Sequence, residues 1–231
     1  RPNLMLHPLG LVDGLFNHEL DADTGPQGCM IYSLQHYRSK EASHKLGYMM
    51  HALRGGGPLE AARYAWGRKR LKFGSSLYED FAVFHRRQLA VSIICEDLPH
   101  PENRVCLDGA HVDINGTFGV KIEYKMSDNT KAIMIHGMKN ARKLLKEAGA
   151  IKTFAYGPVR NSGWHTMGSC RMGEDPKKSV VDTSGECHTI ANLHIADSSL
   201  FVSGSCVNPA NTVQALALLI GSRINDQLRM A

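Results

Sequence analysis

Gly163-Trp164-His165-Thr166-Met167-Gly168-Ser169-Cys170-Arg171-Met172-Gly173 is the most informative stretch of this 231-residue chain. Asp175-Pro176 and Ser179-Val180-Val181-Asp182 follow it, then Asn192-Leu193-His194-Ile195-Ala196-Asp197-Ser198-Ser199, then Asn208-Pro209-Ala210-Asn211-Thr212. Taken alone, a histidine after a tryptophan is an ordinary, partly buried side chain. Its neighbours supply the context. Asn192 to Asp197 reads as a short buried strand ending in an acid. Asn208-Pro209 reads as a helix start: asparagine is a favoured N-cap, and proline is tolerated at the first helical position because its missing N–H had no partner there. Val213, Leu216, Ala217, Ile220, Ile224 and Leu228 recur behind it at helical spacing.

Working outward, Ala90-Val91-Ser92-Ile93-Ile94-Cys95 is a β-rich apolar run that Glu96-Asp97-Leu98-Pro99 stops. Arg104 to Leu107 reads as a second strand, and Val120 to Tyr124 alternates apolar and charged residues as a half-wet strand should. The turn residues Asp113-Ile114-Asn115-Gly116 lie between them, which predicts a small antiparallel arrangement. A helix follows, capped by Asp128 or Asn129 and stopped by Gly149. Ile133, Gly137, Ala141, Leu144, Leu145 and Ala148 form its apolar stripe, and Lys139, Arg142, Lys143 and Lys146 its wet face. Residues 1–30 read as irregular, with a turn near Thr24-Gly25-Pro26. Gly55-Gly56-Gly57-Pro58 breaks the chain ahead of a helix-favouring segment from Leu59 to Trp66. The pattern is α/β with α+β character and long irregular connections.

Composition narrows the class. With 43% hydrophobic and 21% charged residues, the chain is neither disordered nor collagen-like and can bury its own core. The net charge of +5 is mild. Its densest cluster, Arg68-Lys69-Arg70 with Lys72, reads as a solvated face, because no nucleic-acid motif accompanies it. No apolar run approaches the roughly 18–20 residues that span a bilayer, so a soluble chain without a transmembrane segment is expected. The sequence opens at Arg1 with no leader in view and leaves the compartment unread. Cys29, Cys95, Cys106, Cys170, Cys187 and Cys206 form no C-x-x-C pair and no zinc spacing. Buried free thiols and no metal are expected.

The ordered set H-x-x-G-[TS]-x-R-M-G, V-V-D, N-L-x-[IV]-x-D-x-S and N-P-x-x-T, carried by the residues quoted above, resembles the C-terminal signature of the glucose-methanol-choline (GMC) family of flavoproteins. Asn3-Leu4-Met5-Leu6-His7-Pro8, and Glu96-Asp97-Leu98-Pro99 with Asn103-Arg104-Val105, resemble further segments of that family. One departure stands out: no strand, G-x-G-x-x-G turn and helix are present to hold the ADP part of FAD. The resemblance therefore implies a GMC-type fold lacking the N-terminal Rossmann half. Residues 1–12 and 158–231 would belong to the FAD-binding domain, and residues 13–157 would form a sheet-and-helix substrate domain.

The resemblance also implies a chemistry. Oxidising an alcohol removes a hydride from carbon and a proton from oxygen; FAD takes the hydride at N5, and the protein handles the proton. Histidine suits that task because its ordinary pKa lies near neutrality. His165 is the expected base, with Asn208 hydrogen-bonding the substrate oxygen. Ala196, Asp197, Pro209, Asn211 and Thr212 are the expected FAD contacts, the last three at a helix N-terminus whose partial positive charge suits a reduced, anionic flavin. Arg171 is expected to tie its loop together, and His7 to pack structurally. The partners implied are a small-molecule alcohol, with a sugar or polyol favoured, and the missing flavin-binding half, carried elsewhere or on another chain. The competing reading is a non-catalytic interaction module for a flavin-binding partner.

Overall fold

The computed structural model describes residues 2–22, 24, 30–38, 44–53, 57–59, 62, 74 and 76–230. The basic cluster at 68–72, Gly55, Gly56, most of the expected 59–66 helix, Gly25, Pro26 and Cys29 lie outside the described residues. In chain order the elements are β1 (Leu4–Met5), β2 (Leu9–Leu15), β3 (Ile31–Ser33), β4 (Tyr48–Leu53), α1 (Leu77–Phe84), β5 (Gln88–Cys95), β6 (Arg104–Val112), β7 (Phe118–Glu123), α2 (Asp128–Glu147), β8 (Lys152–Tyr156), β9 (Met167–Gly168), a 3₁₀ turn (Ser198–Leu200) and α3 (Ala210–Met230). They fall into two compact units. Arg1–Pro8, Glu96–Lys131 and Ser162–Ala231 make the first, and Leu9–Cys95 with Ala132–Asn161 the second.

The second unit is a five-stranded antiparallel sheet in the order β3-β4-β5-β2-β8. β2, an interior strand paired with β5 and β8, lies in the N-terminal region expected to be irregular. Gly10, Val12 and Gly14 share one face of β2, opposite Ile93, Val91 and Leu89 of β5. These glycines blur the strand pattern, and they are there because α2 presses on that face. A Cβ on Gly10 would stand 3.1 Å from Met134 Cγ, and one on Gly14 3.0 Å from Leu145 Cδ2. The buried stripe of α2 comprises Ile133, Met134, Gly137, Ala141 and Leu145. Leu144 and Ala148, expected in that stripe, are exposed, Ala148 lying beyond the last helical residue, Glu147.

The first unit is held by shorter pieces. β6 and β7 form the expected hairpin, and Asp113 Oδ1 closes its turn by accepting from the N–H groups of Asn115 (2.8 Å) and Thr117 (2.9 Å). Ser127, not Asp128 or Asn129, caps α2: its Oγ accepts from Thr130 N–H at 3.1 Å. Asn192 to Asp197 is not a strand. Asn192 takes a left-handed φ of 61°, which breaks an extended run, and only His194 makes a bridge, to Glu186. Val181, Cys187 and Leu200 build a small core there, sealed by Ile220 of α3. Cys106, Cys170 and Cys206 are free thiols, and Cys206 is buried. Among the described residues, no helix is long and apolar enough to cross a membrane.

Asp97 is the polar hub of the first unit. It is 2% exposed, accepts at Oδ2 from Tyr124 Oη (2.9 Å) and Leu6 N–H (3.3 Å), and accepts at Oδ1 from Thr130 Oγ1 (3.0 Å). Burial pushes its carboxyl above the usual range, against the pull of those donors.

Two stability measurements check this account. Gly137→Ala would gain about 1 kcal/mol of helix propensity. Its Cβ, however, would lie 2.5 Å from Cγ2 of Ile93, a fully buried and stiff β-branched side chain. Overpacking of this kind costs about 1–3 kcal/mol, so urea titration is expected to show net destabilisation. Asp97→Ala removes the acceptor shared by Thr130 Oγ1, Tyr124 Oη and Leu6 N–H, and is expected to cost about 2–4 kcal/mol in the same assay.

Candidate active site

β1 and β9 pair antiparallel, Leu4 opposite Gly168 and Met5 opposite Met167. Continuing that register by two residues sets position 7 opposite position 165. The approach is tight. Gly168 has a φ of 77°, and a Cβ there would fall 2.3 Å from the Asn3 carbonyl oxygen, so only glycine fits. His165 itself takes a φ of 62°, a conformation that costs a non-glycine residue of order 1 kcal/mol or more and clusters at functional sites. The surrounding bonds hold it there. His7 N–H reaches the Trp164 carbonyl at 3.4 Å, and Ser198 Oγ donates to the Thr166 carbonyl at 2.7 Å.

Three side chains meet at this point. His165 Nε2 lies 3.3 Å from Asn208 Nδ2, so the pair singled out in the sequence comes together in space. On its other edge, His165 Nδ1 lies 2.9 Å from Nδ1 of His7, and His7 Nε2 bonds the Ser205 carbonyl oxygen. The two imidazoles cross edge to face, with centroids 5.0 Å apart and planes at 74°. His7, expected to pack structurally, is 2% exposed and belongs to this chain of bonds. Burial first, then the neighbouring His165, bring its pKa down to about 4 against the raising pull of the Ser205 contact. Burial also lowers that of His165. Both rings are therefore neutral at pH 7.

The remaining predicted contacts sit around this pair. α3 begins at Ala210, and the Pro209 carbonyl accepts the first intrahelical bond, from Val213 N–H at 2.9 Å. The helix thus starts one residue later than expected, and the Asn208 amide faces His165. Pro209 is half-buried; Asn211 and Thr212 are exposed in the first turn, where helix geometry directs backbone N–H groups outward. Ala196 and Asp197 are exposed on the segment that Ser198 ties to Thr166. Asp197 Oδ1 accepts from Ser199 N–H at 2.7 Å and so caps the 3₁₀ turn. Arg171 Nε donates to the Lys178 carbonyl at 2.7 Å, the loop tie expected of it. Burial pushes the Cys206 thiol up to about 12, which leaves it inert beside the site. Among the described residues, no three His, Cys, Asp or Glu side chains are grouped to hold a metal.

Comparisons with known proteins agree with one another. A family profile described as GMC oxidoreductase matches residues 99–217. A 2-methyl-1,2-propanediol dehydrogenase of Mycolicibacterium austroafricanum is 31% identical over 161 residues, which is 69% of this chain and 28% of that protein. A 6'''-hydroxyparomomycin C oxidase of Streptomyces lividus is 32% identical over 164 residues, 68% of this chain and 30% of that protein. Among solved structures, a pyridoxine 4-oxidase from Mesorbium loti superposes with a TM-score of 0.60 at 14% identity, covering 97% of this chain and 44% of that one. A formate oxidase of Aspergillus oryzae, solved in connection with modification of its FAD, gives 0.63 at 15% identity and covers 97% and 48%. The chain thus spans less than half the length of each of these proteins, and its mixed α/β fold is theirs over that part. With more than half of its residues under the family profile, this chain belongs to the GMC oxidoreductase family.

Proposed function

We propose that this chain carries the proton-handling half of an FAD-dependent oxidoreductase acting on the hydroxyl group of a small-molecule alcohol, with a sugar or polyol as the favoured class. The observation that carries the reading is the meeting of His165 Nε2 and Asn208 Nδ2 at 3.3 Å, beside the N-terminus of α3. A hydroxyl oxygen seated against both would displace their direct contact, accept from the Asn208 amide and present its proton to His165 Nε2. FAD, when bound, supplies the acceptor for the hydride that leaves the same carbon.

The residues around the pair fit such a cofactor. Exposed Asn211 and Thr212 at the helix start, and exposed Ala196 and Asp197 on the neighbouring turn, leave an open polar rim for it. The first-turn N–H groups of α3 offer partial positive charge to an anionic ring system. The ADP-binding fold lies outside these 231 residues, so we assign it to a segment or chain that joins this one. Residues 1–12 and 158–231 would then complete the FAD-binding domain, with residues 13–157 shaping the substrate side. The 2-methyl-1,2-propanediol dehydrogenase and the 6'''-hydroxyparomomycin C oxidase among the relatives support the alcohol class.

The test uses the flavin-loaded holoenzyme. His165→Ala is expected to leave flavin content intact and to slow anaerobic flavin reduction by an alcohol by about 10²–10⁴-fold. An unchanged rate would refute the base assignment, and no flavin in any preparation would favour the interaction-module reading. Because burial lowers the His165 pKa from 6.5, its base form persists below that pH. The acid limb of kcat/KM for the wild type is therefore expected below pH 6.5, falling as pH drops through the lowered value.

A further inference from the structure

We infer that His7 is a positioning residue that fixes the tautomer of His165, placing the proton on Nδ1 and leaving the lone pair of Nε2 for the substrate. The inference rests on the reading of His165 as base and deepens it. The Ser205 carbonyl oxygen can only accept, so the bond it makes with His7 requires a hydrogen on His7 Nε2. His7 is buried and holds a pKa of about 4, so at neutral pH it carries one ring proton and no more. With that proton on Nε2, Nδ1 of His7 is a lone pair.

The 2.9 Å contact between the two Nδ1 atoms then needs a proton from the other side. His165 supplies it, and a neutral imidazole protonated at Nδ1 has its lone pair at Nε2. That nitrogen is the one facing the Asn208 amide, which donates towards it at 3.3 Å. The opposite arrangement fails twice: it would aim the His7 Nε2 lone pair at the Ser205 oxygen and the His165 Nε2 proton at the Asn208 N–H. The chain of bonds therefore runs one way, from Asn208 through His165 and His7 to the Ser205 carbonyl.

The arrangement differs from the usual orienting group of a catalytic histidine, a carboxylate. A carboxylate would raise the pKa of the base. A neutral imidazole orients the ring without adding charge, and after proton capture it still accepts from Nδ1–H of the imidazolium. His165 thereby gains the correct tautomer and keeps a low pKa.

Long-range ¹H–¹⁵N correlation of ring nitrogens in histidine-labelled, flavin-loaded protein reads the tautomers directly. At neutral pH His165 is expected as Nδ1–H and His7 as Nε2–H. His7→Phe removes the acceptor, and is expected to turn His165 to Nε2–H and slow flavin reduction about 10²-fold, with flavin content unchanged. His7→Asn sets an amide oxygen where Nδ1 stood, and is expected to restore the Nδ1–H tautomer and most of the rate. His165 found as Nε2–H in the wild type, or unmoved by His7→Phe, would overturn the positioning role even in an active enzyme. The expected tautomers in a protein that no alcohol reduces would instead overturn the oxidoreductase reading and leave this one standing.

Discussion

Two residues of β-ladder hold the site together. His7 and His165 are 158 positions apart, and they share a hydrogen bond because Leu4–Met5 pairs with Met167–Gly168. A ladder that short is weak by itself, so its strands are fastened from outside. The Asn103 carbonyl accepts from Leu4 N–H at 2.8 Å, and Asp97 accepts from Leu6 N–H. Asp97 passes the constraint on to Tyr124 at the end of the β6–β7 hairpin and to Thr130 in the first turn of α2. The site is thus anchored in an irregular region by one buried carboxylate that accepts from Tyr124, Leu6 and Thr130 among others. That arrangement is rigid because leaving any of those buried partners unpaired costs of order 1–3 kcal/mol.

The same fastening explains how His165 keeps an unfavourable backbone. A φ of 62° for a histidine persists only when its surroundings over-determine it. Here Gly168 lets the strands approach, the 3₁₀ turn bonds Thr166 through Ser198, and Trp164 is held by His7 N–H. The strain turns the ring edgewise, so that one nitrogen meets Asn208 and the other His7. An extended residue at this point would continue the β9 ladder and send its side chain along the ordinary pleat.

Much of this was legible in the sequence, for reasons that separate cleanly. β5, the β6–β7 hairpin, α2 and α3 announce themselves through apolar periodicity bounded by turn residues, which is local information. β2 does not: Gly10 and Gly14 replace the apolar residues of its inner face, because the space they would fill belongs to α2. β1 and β9, at two residues each, are shorter than any periodicity. The segment 192–197 misleads in the other direction, since only Ile195 packs against a small core while Leu193 and Ala196 are exposed. His165 and Asn208 could be found because their flanking residues form a long composite motif. His7 sits in a quoted segment as well, but its role depends on a register that no local spacing encodes.

The consequence reaches beyond one residue. The family profile spans residues 99–217, which takes in His165 and Asn208 but neither His7 nor Asp97. The proposed reacting pair and the parts that orient it are therefore drawn from different stretches of chain: the start, the middle and the end of the first unit. A sequence that keeps only the profiled region would retain a histidine and an asparagine capable of meeting, yet lose the acceptor on Nδ1. Its imidazole would then be free to take either tautomer, and only one of them presents a lone pair to a hydroxyl. The pair that defines this site in sequence is sufficient for recognition; the residue that gives it direction is supplied by the ladder at the other end of the chain.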